Sequence, residues 1–240
     1  MKNVILASTS TLYGEAYLTY LKEEITSLFN NVSELIFIPF ARPGGISYEL
    51  YMQNVSNFFA LLNIRVKGLH DFQDPAEAIN MAQGIFTGGG NTFLLVKTLH
   101  ELGVMKILKE TIENGTPYLG TSAGSNIGGV TMQTTNDMPI VYPPDFKTMG
   151  LVPFNINAHY LDPVPGSKHN GETRETRIRE FHVFNDIPVV GLREGSWIRV
   201  KGNNISTEGK YTSKIFLPNK EAFELMPGAA IDLGKHGSEG

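Results

Sequence analysis

Residues 4–7 form a continuous apolar run, the pattern of a parallel strand buried on both faces. Leu18, Leu21, Ile25 and Leu28 then recur at helical spacing and predict a helix over residues 15–29. Residues 35–38 read as a second strand, Pro43-Gly44-Gly45 as a loop, and residues 48–62 as a helix with Leu50, Val55, Phe58, Phe59 and Leu62 on one face. Residues 64–69 alternate and read as a third strand. Asp74 before Pro75 is a helix-start signal, an acid that caps followed by a proline where no N–H is needed. That short helix runs through Ala82 to a fourth strand at 84–87. Helices over 92–102 and 104–114 follow, ended by Gly103 and Gly115 as left-handed caps, and another apolar strand enters Gly120-Thr121-Ser122-Ala123-Gly124-Ser125-Asn126.

This alternation predicts an α/β fold, a doubly wound and mostly parallel sheet flanked by helices on both faces. Past Ser122 the pattern loosens. Residues 151–158 read as a strand ending at His159, residues 162–171 as a polar loop and 172–184 as a charged helix. Short strands at 189–192, 197–201, 210–217 and 222–225 predict an antiparallel C-terminal extension. The expected organisation is a single domain over 1–240, with an α/β core to about 185, a β-rich part over 186–233 and a frayed tail over 234–240.

Composition narrows the chemistry. The 240 residues are 41% hydrophobic, enough for a sizeable core, and contain no cysteine, which excludes disulfides, thiolate metal sites and a cysteine nucleophile. The net charge of −4 without a basic run gives no nucleic-acid footprint. No stretch is long and apolar enough to span a membrane, and the N-terminal run reads as a strand, so a soluble cytoplasmic protein is expected. No His-Glu-x-x-His pattern appears, and neither a metal nor a cofactor is expected.

Gly120-x-Ser122-x-Gly124 between a strand and a helix start has the form of a nucleophile elbow, in which small neighbours permit the sharp turn that exposes the serine Oγ. A tight βα turn with an inert serine has the same pattern. A serine nucleophile needs a base. His159 stands out because it ends a strand and begins a polar loop, with His169 nearby in that loop; His70, His100, His182 and His236 have surface, helix or tail settings. A carboxylate must orient the base, and Asp137 and Glu194 both qualify by position. The turn Gly88-Gly89-Gly90 lacks Gly-x-Gly-x-x-Gly spacing and reads better as backbone donors for an oxyanion than as a phosphate cradle.

Gly88-Gly89-Gly90-Asn91, Gly120 to Asn126, Thr135-Asn136-Asp137-Met138-Pro139-Ile140, Asn157-Ala158-His159-Tyr160, Lys168-His169-Asn170-Gly171-Glu172-Thr173-Arg174 and Gly191-Leu192-Arg193-Glu194-Gly195 occur in this order. Together they resemble the peptidase E family of alpha-aspartyl dipeptidases over nearly the whole chain. The resemblance implies a class I glutamine-amidotransferase-like, flavodoxin-like fold and a serine peptidase that cleaves after an N-terminal aspartate. It implies Ser122 as nucleophile, His159 as base and Asp137 as its partner, with Glu194 the alternative third member. Gly88, Gly89, Gly90 and Ala123 would form the oxyanion hole, and Arg174 would bind the substrate carboxylate. Ala158 departs from the proline expected in many relatives. The implied partners are small peptides, and the expected state is a monomer, with a dimer as the alternative. The rivals are an isoaspartyl or cyanophycinase-like peptidase and a binding module without chemistry.

Overall fold

The computed structural model describes residues 1–163, 166 and 171–233. His169, with Lys168 and Asn170, and the tail containing His236 lie outside the described residues. In chain order the elements are β1 (Asn3–Ala7), α1 (Lys22–Leu28), β2 (Glu34–Ile38), α2 (Tyr48–Ala60), β3 (Arg65–Gly68), α3 (Pro75–Asn80), β4 (Ile85–Thr87), α4 (Thr92–Glu101), α5 (Met105–Glu113), β5 (Tyr118–Thr121) and α6 (Ala123–Asn126). They continue with β6 (Asn155–Ala158), α7 (Arg174–Phe184), β7 (Val189–Leu192), β8 (Ser196–Lys201), β9 (Asn204–Gly209), β10 (Ser213–Phe216) and β11 (Phe223–Leu225).

A seven-stranded sheet has the order β3-β2-β4-β5-β1-β8-β9, with β1 to β5 parallel, β8 antiparallel to β1 and β9 antiparallel to β8 in a hairpin. Successive strand residues face opposite sides, so each strand feeds two cores. Val4, Leu6, Ile36, Ile38, Ile85 and Tyr118 pack with the buried faces of α4 and α5. Ile5, Ala7, Leu35, Phe37, Phe86 and Leu119 pack with α1 and α2 on the other side. This two-sided burial explains why the strands read as unbroken apolar runs. Asp74 caps α3 by accepting the Glu77 N–H, and Asn91 caps α4 by accepting that of Leu94, each at 3.0 Å.

Three sequence expectations change. Instead of a helix over residues 15–29, Leu18 takes a left-handed backbone (φ 58°), and a single 3-10 turn at Thr19–Leu21 leads into α1. The segment before it is a loop on the carboxyl end of β1, closed by the Leu18 N–H donating to Ser10 O at 2.8 Å. The strand expected at 151–158 is extended only over Asn155–Ala158, because the N–H groups of Leu151 and Val152 bond to Gly128 O after α6. The C-terminal strands do not form one extension. The β8–β9 hairpin completes the main sheet, whereas β10 and β11 join β7 and β6 in a second sheet, order β11-β10-β7-β6. Strand β9, unread in the sequence, carries few apolar residues because it is the outer strand of that hairpin.

Candidate active site

Ser122 follows β5 and begins α6 with φ 54° and ψ −111°, a backbone conformation unfavourable for a residue with a Cβ. The elbow is held from three sides. Its N–H donates to Ala7 O at 3.0 Å, its carbonyl accepts the N–H groups of Ser125 and Asn126, and the Ser125 hydroxyl bonds to Ala7 O and Gly120 O. A side chain on Gly124 would collide with the Thr87 backbone, so the glycine after the serine is demanded by the close approach of β4.

His159 follows β6 and also has a left-handed backbone, φ 55°. Its Nε2 faces Ser122 Oγ at 2.9 Å and its Nδ1 faces Glu194 Oε1 at 2.6 Å. Both are accessible, with 35% of the His159 side chain and 49% of the Glu194 side chain exposed to solvent. The neighbouring Arg193 is saturated. It donates to both oxygens of Glu224, to Asp162 Oδ2 and to the Thr212 carbonyl. The Glu224 bond raises the Arg193 pKa well above its ordinary value, against the opposing effect of burial. This clamp fixes the loop that carries Glu194.

Asp137, expected beside the histidine, is turned elsewhere. Its Oδ2 accepts the N–H of Thr92, the first residue of α4, at 2.7 Å and the Thr135 hydroxyl at 3.0 Å. A carboxylate at this positive helix end has its own electrostatic reason to be there. Thr135 and Thr92 continue to Asn126, and Asn126 Oδ1 accepts the Ala158 N–H at 3.4 Å. Proline before His159 could not make that last bond, so the departure at Ala158 adds a donor.

The glycine turn divides. The Gly88 N–H donates to Ile38 O at 3.3 Å and is spent within the sheet, which removes it from the expected donor set. Gly89 abuts the elbow: a Cβ there would fall 3.0 Å from Ser122 Cβ and 3.6 Å from Ser122 Oγ. The Tyr51 hydroxyl donates to Gly89 O at 3.3 Å and steadies this peptide from below. Ala123, the first residue of α6, presents its N–H beside Ser122.

Arg174 is the first residue of α7, after Thr173, whose hydroxyl caps the helix by accepting the Thr176 N–H. Its guanidinium is half-buried, and burial lowers its pKa, opposed by the charge of Glu194. Nη1 is closed off from solvent without a hydrogen-bond partner. Ser8, which no sequence motif flagged, is fully buried at the end of β1; its hydroxyl accepts the His159 N–H and donates to Leu192 O. Among the described residues no three His, Asp or Glu side chains converge as a metal ion would require, and no helix is long and apolar enough to cross a membrane.

Ser, His and Glu in a hydrogen-bonded line, with backbone donors beside the serine, form an arrangement competent for acyl transfer. The chain is 43% identical to a Streptomyces coelicolor protein named peptidase E over 229 residues, covering 95% of this chain and 93% of the relative. It is 41% identical to a Drosophila melanogaster protein named "Probable alpha-aspartyl dipeptidase", covering 94% of each. Its fold matches the crystal structure of a peptidase from an acI-B1 actinobacterium with a TM-score of 0.70 and 18% identity, covering 96% of each chain. The family model for peptidase family S51 matches residues 4–208, and the chain belongs to that family.

Proposed function

We propose that the chain is an aspartyl dipeptidase that hydrolyses the bond after an N-terminal aspartate through an acyl-enzyme on Ser122. The observation that carries the reading is the unbroken line from Ser122 Oγ through His159 to Glu194. His159 Nε2 takes the hydroxyl proton as Oγ attacks the scissile carbonyl carbon. Glu194 holds the tautomer with Nδ1–H and stabilises the imidazolium. The N–H groups of Gly89 and Ala123 donate to the oxyanion. Collapse of the tetrahedral intermediate breaks the C–N bond, and Nε2 gives its proton to the departing amine. Water, deprotonated by His159, then attacks the aspartyl ester, releasing aspartate and restoring Ser122.

Selectivity for aspartate is assigned to Arg174. Its guanidinium is half-buried, feels the charge of Glu194 and has an unbonded Nη1, which supports a role in receiving the substrate β-carboxylate. In this reading Asp137 is a helix-capping residue and Glu194 the orienting acid. The enzyme acts as a monomer on small peptides in the cytoplasm.

The test is hydrolysis of Asp-Leu against Leu-Leu, Glu-Leu and beta-Asp-Leu, with Ser122→Ala alongside. Selective cleavage of Asp-Leu that disappears in the variant is the expected result. Cleavage of beta-Asp-Leu alone would move the protein to the isoaspartyl alternative, and a folded enzyme that cleaves none would overturn the reading.

A further inference from the structure

An Asp-Xaa dipeptide carries two carboxylates, and the assignment of Arg174 accounts for one. The chain has seven arginines. Arg65, Arg177, Arg179 and Arg193 pair with carboxylates, and Arg199 bonds to Asn3 Oδ1 and to backbone carbonyls. Among the described residues only Arg42 and Arg174 make neither a hydrogen bond nor an ion pair.

Arg42 stands on the carboxyl side of β2, the edge of the sheet that carries Ser122. Ala41 O accepts the Asn91 N–H at 2.7 Å, which ties this loop to the glycine turn after β4. The Arg42 guanidinium carbon lies 4.8 Å from the centre of the Tyr51 ring, and the Tyr51 hydroxyl donates to Gly89 O beside Ser122. The residue is half-buried, and Nε is closed off from solvent with no partner. Among the described residues no hydrogen bond or ion pair occupies its Nη groups, which leaves that end of the guanidinium available to a carboxylate.

The charge of Glu194 acts on the Arg174 guanidinium, and Arg42 belongs to the loop tied to the glycine turn. Strand β4 separates β2 from β5, so the ends of β2 and β5, which lead to Arg42 and Ser122, stand about 10 Å apart, two strand spacings of roughly 4.8 Å. The residue after the scissile bond extends about 3.5 Å toward its own carboxylate, and an arginine side chain is long enough to span the remainder.

We propose that Arg42 receives the C-terminal carboxylate of the substrate and so favours peptides that end one residue past the cleaved bond. This inference rests on the aspartyl dipeptidase reading. Planar, bidentate pairing with a carboxylate is the role for which a guanidinium is best suited, and stacking on Tyr51 preorganises it.

The test compares kcat/KM for Asp-Leu and Asp-Leu-amide, which differ only in the terminal charge, in the wild type, Arg42→Ala and Arg42→Gln. The glutamine variant keeps an aliphatic stem against Tyr51 if alanine unsettles the loop. The wild type is expected to prefer the acid by about 10–100-fold, mainly through KM, and both variants to bring that ratio close to one. A ratio unchanged in both variants, or the absence of any preference in the wild type, would overturn the role of Arg42 while leaving the dipeptidase reading intact. Failure of the wild type to cleave either substrate would overturn the dipeptidase reading and this one with it.

Discussion

The Ser8 hydroxyl accepts the backbone N–H of His159 at 2.8 Å and donates to Leu192 O at 2.7 Å, joining the ends of β1, β6 and β7. The preceding residue, Ala7, accepts the N–H of Ser122. One dipeptide at the end of β1 therefore anchors the backbone of both residues held in left-handed conformations, Ser122 and His159. Such strain persists only where surrounding contacts over-determine it. Ser8→Ala removes the acceptor for His159 and is expected to cost about 1–3 kcal/mol of stability through unsatisfied buried groups. Because the proposed base loses its anchor, kcat should fall by about tenfold or more with KM for Asp-Leu little changed. Steady-state kinetics with a urea melt check this, and a loss confined to stability would limit Ser8 to a structural role.

Glu194 and Asp137 are separable by experiment because their carboxylates bond to different groups, His159 Nδ1 and the Thr92 N–H. Glu194→Gln leaves the shape of the site but disfavours the tautomer that His159 needs, and kcat should fall by about 10⁴-fold. Asp137→Ala removes the acceptor for the Thr92 N–H and is expected to cost about 1–2 kcal/mol of stability with a much smaller loss of kcat. Parallel measurement of kcat and the melting temperature decides between the two acids. The reverse ranking of kcat would return the orienting role to Asp137.

Much of the sheet and its two helical layers was readable from local pattern, because strands buried on both faces and helices with one apolar face carry distinct periods. Ser122 and His159 could be singled out because each ends a strand in a small or polar turn. The choice between Asp137 and Glu194 was not local. Parallel pairing of β6 with β7, with Ala158 opposite Leu192, brings the residues just past both strands together, and no short window of sequence contains that register. Ser8 was missed for the same reason. It becomes a neighbour of the elbow because β1 pairs with β5, Ala7 opposite Thr121. The spent N–H of Gly88 likewise depends on where β2 ends, which the glycine run does not encode.

Arg174 predicts a specific pattern of loss. Its Nη1 is enclosed and unbonded, and in the proposed reading the guanidinium receives the substrate β-carboxylate. Arg174→Ala should raise KM for Asp-Leu by about 10-fold to 1000-fold, the range for one charge-assisted carboxylate contact, and leave circular dichroism unaltered. Asn-Leu, which lacks the charge, should show a smaller change. Equal effects on the two substrates would remove Arg174 from carboxylate recognition.

The clamp around Arg193 predicts an acid-sensitive contribution to stability. Hydrogen bonding from Arg193, ahead of its bond from Thr212 and against the opposing effect of burial, holds the Glu224 carboxyl below its ordinary pKa. A depressed carboxyl contributes stability that is fully present above its unfolded pKa and is lost as the pH falls through the lower folded value. The pair is partly open to solvent, with 43% of the Glu224 side chain exposed, so screening limits the effect to about 1 kcal/mol or less, a shift of roughly 2–4 °C at most. Glu224→Gln should therefore melt below the wild type at pH 7, and the gap should close as the pH is lowered from about 5 toward 3. Because Arg193 adjoins Glu194, the same variant should also lower kcat modestly at neutral pH. A melting difference constant across that pH range would show that the Glu224 charge contributes nothing to holding this loop.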